Sequence, residues 1–566
     1  MTARTEGAAQ TAGGERTAGA EQAAGAEQAV GGERTAGAEE AAGAEQAVGG
    51  ERTAGVEQAA GAEQTVGSER TAGVEQAAGA EQGADAEQAA GAGRGAGAGQ
   101  AAEAAQGAVG AQTAGGPRTA GAVWTAGAPP AAALLLARRL PRRPSLLIAA
   151  TVACVGIPPG AQPFGAGAQV TLGDVAGAVL VLVAAGMLAT GRARLPGRAA
   201  LAVGPLIAAL GISTVHSADI GTSLVGFVRD LQVFVLVPLA VVVLVRDRRD
   251  LGVVCWSVLG LGLVEAVYGI WQTLTGNGAS MGGQNIRAVG TFGALDVMAM
   301  SIVVGFAFLV LTAFALTAPR HGPAAVPSAL AGIAVLAAAL AFALSRGTWI
   351  ALGTAAVLVL VLFDRWTAVK VLTCCGALML VLLGAGGGGS QAVVERAKST
   401  VGSVSDPDQS VDDRYNLWAA AVRIWEDHPV TGVGVKNFPA YRDTYATIEL
   451  SSGSETDDPV NGYVRQPLLS PHNEYLLFLS EQGVVGLAGF AVLLAMIVAG
   501  LWTRRDVRDP FWLASVALMA FLLVNFLYAD LGGPTCALVG VILGFTAAYA
   551  LGTVDLSGGR LHDRTR

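Results

Sequence analysis

The sequence predicts an all-α, polytopic membrane protein with about twelve transmembrane helices, a large extracytoplasmic loop and a disordered N-terminal tail. Three observations predict it. Only 14% of the 566 residues are charged, where soluble proteins carry about 25%. Mean hydropathy is +0.50. From about residue 145 apolar runs follow one another, several near the roughly 20 residues that a helix needs to cross hydrocarbon.

The tail, residues 1–128, comes first. GGERTAGAEQAAGAEQAV recurs from Gly13 with a period of 18, and the Glu-Arg pairs at 15/16, 33/34, 51/52 and 69/70 mark the copies. Eighteen residues make five helical turns. Glycines six apart nevertheless fall on different faces, each costing about 1 kcal/mol against alanine. No apolar stripe offsets the chain entropy, so composition reads as disorder. No short apolar core begins near residue 1, so the opening does not resemble a signal peptide.

The predicted spans are 145–162, 170–190, 199–215, 226–245, 251–274, 293–317, 325–344, 348–363, 368–388, 474–501, 510–529 and 534–552. Together they form one membrane domain, 145–552, with a short tail at 553–566. Arginine and lysine set the orientation. Basic residues precede span 1 (Arg138, Arg139, Arg142, Arg143) and follow spans 2 (Arg192, Arg194, Arg198), 4 (Arg246, Arg248, Arg249), 6 (Arg320), 8 (Arg365, Lys370) and 10 (Arg504, Arg505, Arg508). Even connections are therefore expected in the cytoplasm, with both termini, in a multi-pass protein of the cell membrane. The odd connections face outward, and one of them, 389–473, is long. Loops of that length are usually functional.

Charge and cysteines exclude several classes. Residues 1–128 hold 17 acidic and 7 basic residues, a net −10, and the rest hold 27 and 29, a net +2, so all the net acidity belongs to the tail. With no strongly basic domain, nucleic acid is not an expected partner. Cys154, Cys255, Cys374, Cys375 and Cys536 lie in apolar runs without CxxC spacing, which argues against a metal site or disulfide framework. There is no Walker loop, HExxH or GxSxG motif, so an ATP-driven pump, a zinc protease or a lipase of known pattern is not indicated.

Three residues on the expected outer side have the chemistry for a site. Arg346, in SRGTW at the junction of spans 7 and 8, reads either as a snorkelling boundary residue or as a phosphate anchor. Arg414 opens DDRYNLWAAAVRIWEDHP, an expected amphipathic helix on or against the membrane. Helical spacing aligns Arg414, Trp418, Val422 and Trp425 on one face, with Arg423 opposite. The bland alternative is a loop helix pinned by its tryptophans. The glycine-rich TGVGVKNF that follows is too short for a nucleotide fingerprint. His472, in SPHNEYLLFLSEQGVVGLAGF, shares a helical stripe with Tyr475, Leu479, Gly483 and Gly486. It reads as a proton acceptor or as an interfacial helix cap, and His428 is its rival within the loop. Glu265, an intramembrane carboxylate, is a functional candidate by default, and Arg287, ahead of GTFG, is a further candidate anion contact.

Taken in order, these segments resemble the O-antigen ligase family of membrane glycosyltransferases, which is related to O-antigen polymerases and some protein O-oligosaccharyltransferases. The resemblance covers about residues 145–552 and is sharpest from 340 to 490. It rests on SRGTW, on RYNLWAAAVRIWEDHPVTGVGVKNF, and on His472-Asn473 followed after nine residues by Gly483-x-x-Gly486. It implies a type C glycosyltransferase-like fold and a transfer that needs neither metal nor cofactor. A glycan would leave a polyprenyl diphosphate, expected to be undecaprenyl diphosphate, for an acceptor hydroxyl at the outer membrane face, in cell-surface polysaccharide biosynthesis. Arg346, Arg414 and Arg287 would hold the diphosphate, and His472 would orient or deprotonate the acceptor, with inversion at the anomeric carbon. Asn473, Trp418, Gly483, Gly486 and Glu265 would support them. The acceptor is open among a glycan, a wall polymer and a protein. A protein O-oligosaccharyltransferase and a non-enzymatic polysaccharide transporter or flippase are the competing readings. A transporter should show internal repeats and interrupted helices around a central site, and no clear repeat is visible in the membrane region.

Overall fold

A computed structural model of the chain describes residues 143–157, 170–280, 286–293, 296–318, 324–384, 409–448, 450, 454–458, 462–466, 468–552 and 554. The expected tail at 1–128, residues 389–408 of the expected loop, and 553 and 555–566 of the expected C-terminal tail lie outside these.

Every predicted span contains a helix. They are α1 (Ser145–Val155), α2 (Leu172–Ala189), α3 (Gly197–His216), α4 (Ile220–Asp230), which runs through a π-helical turn at Leu231–Leu236 into α5 (Val237–Leu244), and α6 (Arg248–Thr275). Next come α7 (Ala299–Thr317), α8 (Ala325–Phe342), α9 (Arg346–Phe363) and α10 (Arg365–Gly384). After α11 (Gln409–Asp427) and α12 (Phe438–Tyr445), the bundle closes with α13 (Glu474–Thr503), α14 (Pro510–Asn525) and α15 (Cys536–Leu551). Among the described residues nine helical runs are long and apolar enough to cross a membrane. α1 and α14 are apolar but shorter, and α10 is not among the nine, so the expected twelve reduces to nine on this criterion.

Side-chain caps fix where several helices start. Thr171 and Asp174 form a reciprocal capping box on α2. Asp247 accepts from the backbone N–H groups of Arg249 and Asp250 at the start of α6, and Gly276 ends that helix in the left-handed conformation. Asp509 and Pro510 open α14. The most central helix is α15, in which every residue is buried; α13, α14 and α5 pack around it.

The helical expectation omitted a small sheet. Strands β1 (Ala279–Ser280), β2 (Ile286–Arg287), β3 (Ser454–Asp458) and β4 (Gly462–Gln466) pair antiparallel in the order β2-β1-β3-β4. Ser280 pairs with Asp457, which joins the connection after α6 to the long loop.

Polar contacts collect at two ends of the bundle. At one, Arg248 makes a bidentate contact with Asp509 at 2.8 Å, and the Tyr549 hydroxyl donates to the same carboxylate. Ser145 donates to Asp250 at 2.6 Å, and Arg504 donates to the carbonyls of Tyr549 and Gly552. The connections after spans 4 and 10 thus meet each other at this end, beside the start of α1. The other end holds the connections that carry Arg287, Arg346, Arg414 and His472.

Candidate functional site

His472 is not on α13. The helix starts at Glu474, and Asn473 is its N-cap, accepting from the Leu476 N–H at 3.1 Å. His472 itself has φ +49°, a left-handed conformation that costs a non-glycine residue about 1 kcal/mol or more. This backbone, rather than a helical stripe, aims the ring. Its Nδ1 lies 3.2 Å from Oδ1 of Asp530. The carboxylate makes Nδ1 the protonated nitrogen and leaves the Nε2 lone pair as proton acceptor. Burial pushes the Asp530 carboxyl up, but the bonds from His472 and Ser470 and the imidazole charge outweigh it and hold the group below its ordinary value of 3.8. Asp530 did not emerge from the sequence.

Residues 526–535, between α14 and α15, link the candidate residues. The Glu474 N–H donates to the Phe526 carbonyl at 2.8 Å, and the Glu474 carboxylate accepts from the Leu531 N–H at 2.6 Å. Tyr528 lies against Gly347, where a β-carbon would come within 2.9 Å of the tyrosine Cβ. The start of α9, with Arg346 as its first residue, therefore rests two residues from Asp530. Leu344, just before it, is another left-handed residue (φ +51°). Thr348 joins Ser345 at 2.9 Å and Ser301 of α7 at 3.0 Å, which fixes this helix start in place. Arg287, 5% exposed, donates from Nε to the Ala343 carbonyl at 2.9 Å. It therefore supports the approach to Arg346.

On α11, Trp418 donates from its indole N–H to the Pro471 carbonyl at 2.8 Å, next to His472. Arg414 lies one turn before Trp418. The helix buries Leu417, Ala421 and Ile424, together with Val433, Phe438 and Leu468, in a small core of their own. The stripe of Arg414, Trp418, Val422 and Trp425 flanks that face, and Arg423, which is exposed, donates to the Tyr445 carbonyl. The apolar face of α11 is thus used on protein. His428 packs edge-on against Tyr441 at 5.8 Å.

Gly483 breaks α13, with φ +64° and ψ −164°. An unbroken helix would bond the N–H groups of Val484 and Val485 to the carbonyls of Ser480 and Glu481. Here residues 429–434 take over all four groups. Val484 and Val485 donate to the carbonyls of Pro429 (2.9 Å) and Val430 (3.3 Å), while Val433 and Gly434 donate to those of Ser480 (3.1 Å) and Glu481 (2.8 Å). The approach needs two glycines. A β-carbon on Gly483 would meet the Val430 carbonyl at 2.3 Å, and one on Gly432 would meet the Glu481 carbonyl carbon at 2.2 Å. Gly486 lets α13 turn over Gln482, whose Cβ would lie 2.1 Å from an added β-carbon. The Glu481 carboxylate accepts from the N–H groups of Lys436 (2.7 Å) and Phe438 (2.9 Å) at the start of α12. TGVGVKNF is therefore a strap that fastens α11 and α12 to α13. Across the break Phe478 stacks on Phe490 at 4.4 Å.

Glu265 belongs to a different arrangement. It is 0% exposed and accepts from the Thr291 N–H (2.9 Å) and hydroxyl (2.7 Å). It anchors the turn at Gly290–Phe292 and does not reach the His472 cluster through any contact seen among the described residues. Among those residues no group of three His, Cys, Asp or Glu side chains is arranged to hold a metal ion.

A comparison with curated proteins finds no match. Residues 331–491 match the family model described as O-antigen ligase. That stretch is well under half of the chain, but it carries Arg346, the strap, Arg414 and His472. Over that stretch the chain is similar to the O-antigen ligase family.

Proposed function

We propose that the protein transfers a glycan from a polyprenyl diphosphate to an acceptor hydroxyl at the outer face of the cell membrane. The reading rests chiefly on the His472–Asp530 pair, 3.2 Å apart, standing where the connections that carry Arg346 and Arg414 meet. In the transfer, Nε2 of His472 takes the proton of the acceptor hydroxyl as its oxygen attacks the anomeric carbon. Asp530 holds the ring in the required tautomer and faces the positive charge the ring acquires. The glycosidic bond to the diphosphate breaks, and Arg346 and Arg414 receive the charge that grows on the leaving phosphate oxygen. Attack opposite the leaving group inverts the anomeric carbon. The lipid diphosphate is itself the activated donor, so no nucleotide sugar is required.

The test is reconstitution of the full chain with a defined polyprenyl-diphosphate glycan and candidate acceptors, with mass spectrometry of every product. Wild type should yield an inverted glycoside and free polyprenyl diphosphate. His472→Ala should yield neither at a comparable level in the membrane. Equal product from both would refute the assignment.

A further inference from the structure

Asp296 lies in the connection between the Gly290–Phe292 turn and α7. Its Oδ1 presses on the turn that follows Asp530: a β-carbon on Gly533 would come within 2.2 Å of it. Three residues span at most roughly 11 Å, so this carboxylate stands within the reach of one oligosaccharide from the His472–Asp530 pair. Five residues on, Ser301 bonds Thr348 at 3.0 Å, which ties the same connection to the helix that begins at Arg346. The wall it faces is held on both sides. Arg229 donates to the Gly533 carbonyl at 3.3 Å, and Glu474 accepts from the Leu531 N–H at 2.6 Å.

The other sheltered acids at this end are matched by the protein. Asp174 has Arg229 and Thr171; Asp230 has Gln482; Glu265 has Thr291. Glu474, Glu481 and Asp530 have the partners described above. Asp296 differs. Among the described residues no hydrogen bond or ion pair reaches its carboxylate, and burial alone acts on it, pushing it up to about 6. The carboxylate is partly exposed, so solvent rather than protein meets its oxygens, and the lack of a protein partner at this place invites an explanation.

A ligand supplies one. A carboxylate repels a diphosphate but accepts two hydroxyl protons well. We propose that Asp296 is a sugar-binding residue, accepting hydrogen bonds from the hydroxyls of a glycan ring held beside the His472–Asp530 pair. The inference rests on the glycan-transfer reading above and adds the residue that grips the carbohydrate.

The experiment uses the full chain reconstituted in liposomes with a defined polyprenyl-diphosphate glycan and an acceptor glycan. Initial rates are measured while the donor and the acceptor are varied separately, for wild type, Asp296→Asn and Asp296→Ala. The KM for one of the two should rise about tenfold or more in both variants, and which one it is tells whether donor or acceptor sugar is held. The thermal midpoint at pH 7 should stay at or above that of wild type, because the replaced group had no protein partner. Both KM values within about twofold of wild type, or a lowered midpoint with a loss confined to kcat, would overturn the assignment. No transfer by wild type would instead sink the glycan-transfer reading, and this inference with it.

Discussion

Replacing Gly483 by alanine tests the strap that joins the α11–α12 unit to α13. The chain then has two responses. It keeps φ +64° and ψ −164°, at about 1–3 kcal/mol of backbone strain, while the new methyl meets the Val430 carbonyl at 2.3 Å and the strap must move. Alternatively α13 straightens. Val484 and Val485 then recover their helical bonds, and the four strap bonds are lost. The net loss is two hydrogen bonds, about 1–3 kcal/mol at the usual 0.5–1.5 each, with the Glu481 contacts at the start of α12 disturbed as well. Either route costs at least about 1–3 kcal/mol. The assay is thermal unfolding of the purified protein in detergent, beside limited proteolysis of residues 428–438. Gly483→Ala should unfold earlier and be cut faster in that segment. Because His472 lies eleven residues upstream and Trp418 reaches Pro471 from the strapped unit, transfer should fall too. A variant with the wild-type midpoint and cleavage pattern would show that the helix break does not depend on glycine.

Two further predictions follow from the same geometry. Asp530→Asn should lower kcat by about 10²–10⁴ with little change in donor KM, since the amide no longer fixes the imidazole tautomer. The folded carboxyl lies below its ordinary 3.8, so its stabilising effect is present above that value and is lost as pH falls through the folded value. The stability difference between wild type and Asp530→Asn should therefore vanish in strong acid, and a difference that persists there would contradict the pairing. Ser454→Cys, on β3 of the sheet that joins the long loop to the connection after α6, should react with an impermeant thiol reagent added to intact cells; protection would invert the proposed orientation.

Much of the helical framework was legible because lipid imposes a simple rule: apolar runs of sufficient length, punctuated by arginine, must be helices. Gly483 shows where periodicity misleads. A stripe drawn through His472, Tyr475 and Gly486 assumes a continuous helix, whereas His472 precedes the helix and Gly483 interrupts it. The strands escaped notice because β1 and β2 have two residues each, while SETDD and GYVRQ show no clean apolar alternation. Asp530 is a single acid in YADLGGP between the last two apolar runs. Its isolation at the end of a span was the available signal, but its partner lies 58 residues away. Glu265 reads from the sequence as an intramembrane carboxylate, and only the fold shows it bonded to Thr291. For α11, composition revealed an amphipathic helix, but not that its apolar face meets Phe438 and Leu468 of the same chain.

The central claim is that Arg346 and Arg414 hold one diphosphate beside His472. Its most direct measurement is equilibrium binding of a glycan-free polyprenyl diphosphate to wild type, Arg346→Ala, Arg414→Ala, the double variant and His472→Ala in the same detergent. The account predicts that each arginine variant binds at least about tenfold more weakly. The double variant should lose less than the sum of the two, because both residues serve one ligand, and His472→Ala should bind like wild type. Wild-type affinity in either arginine variant, or strictly additive losses, would contradict it.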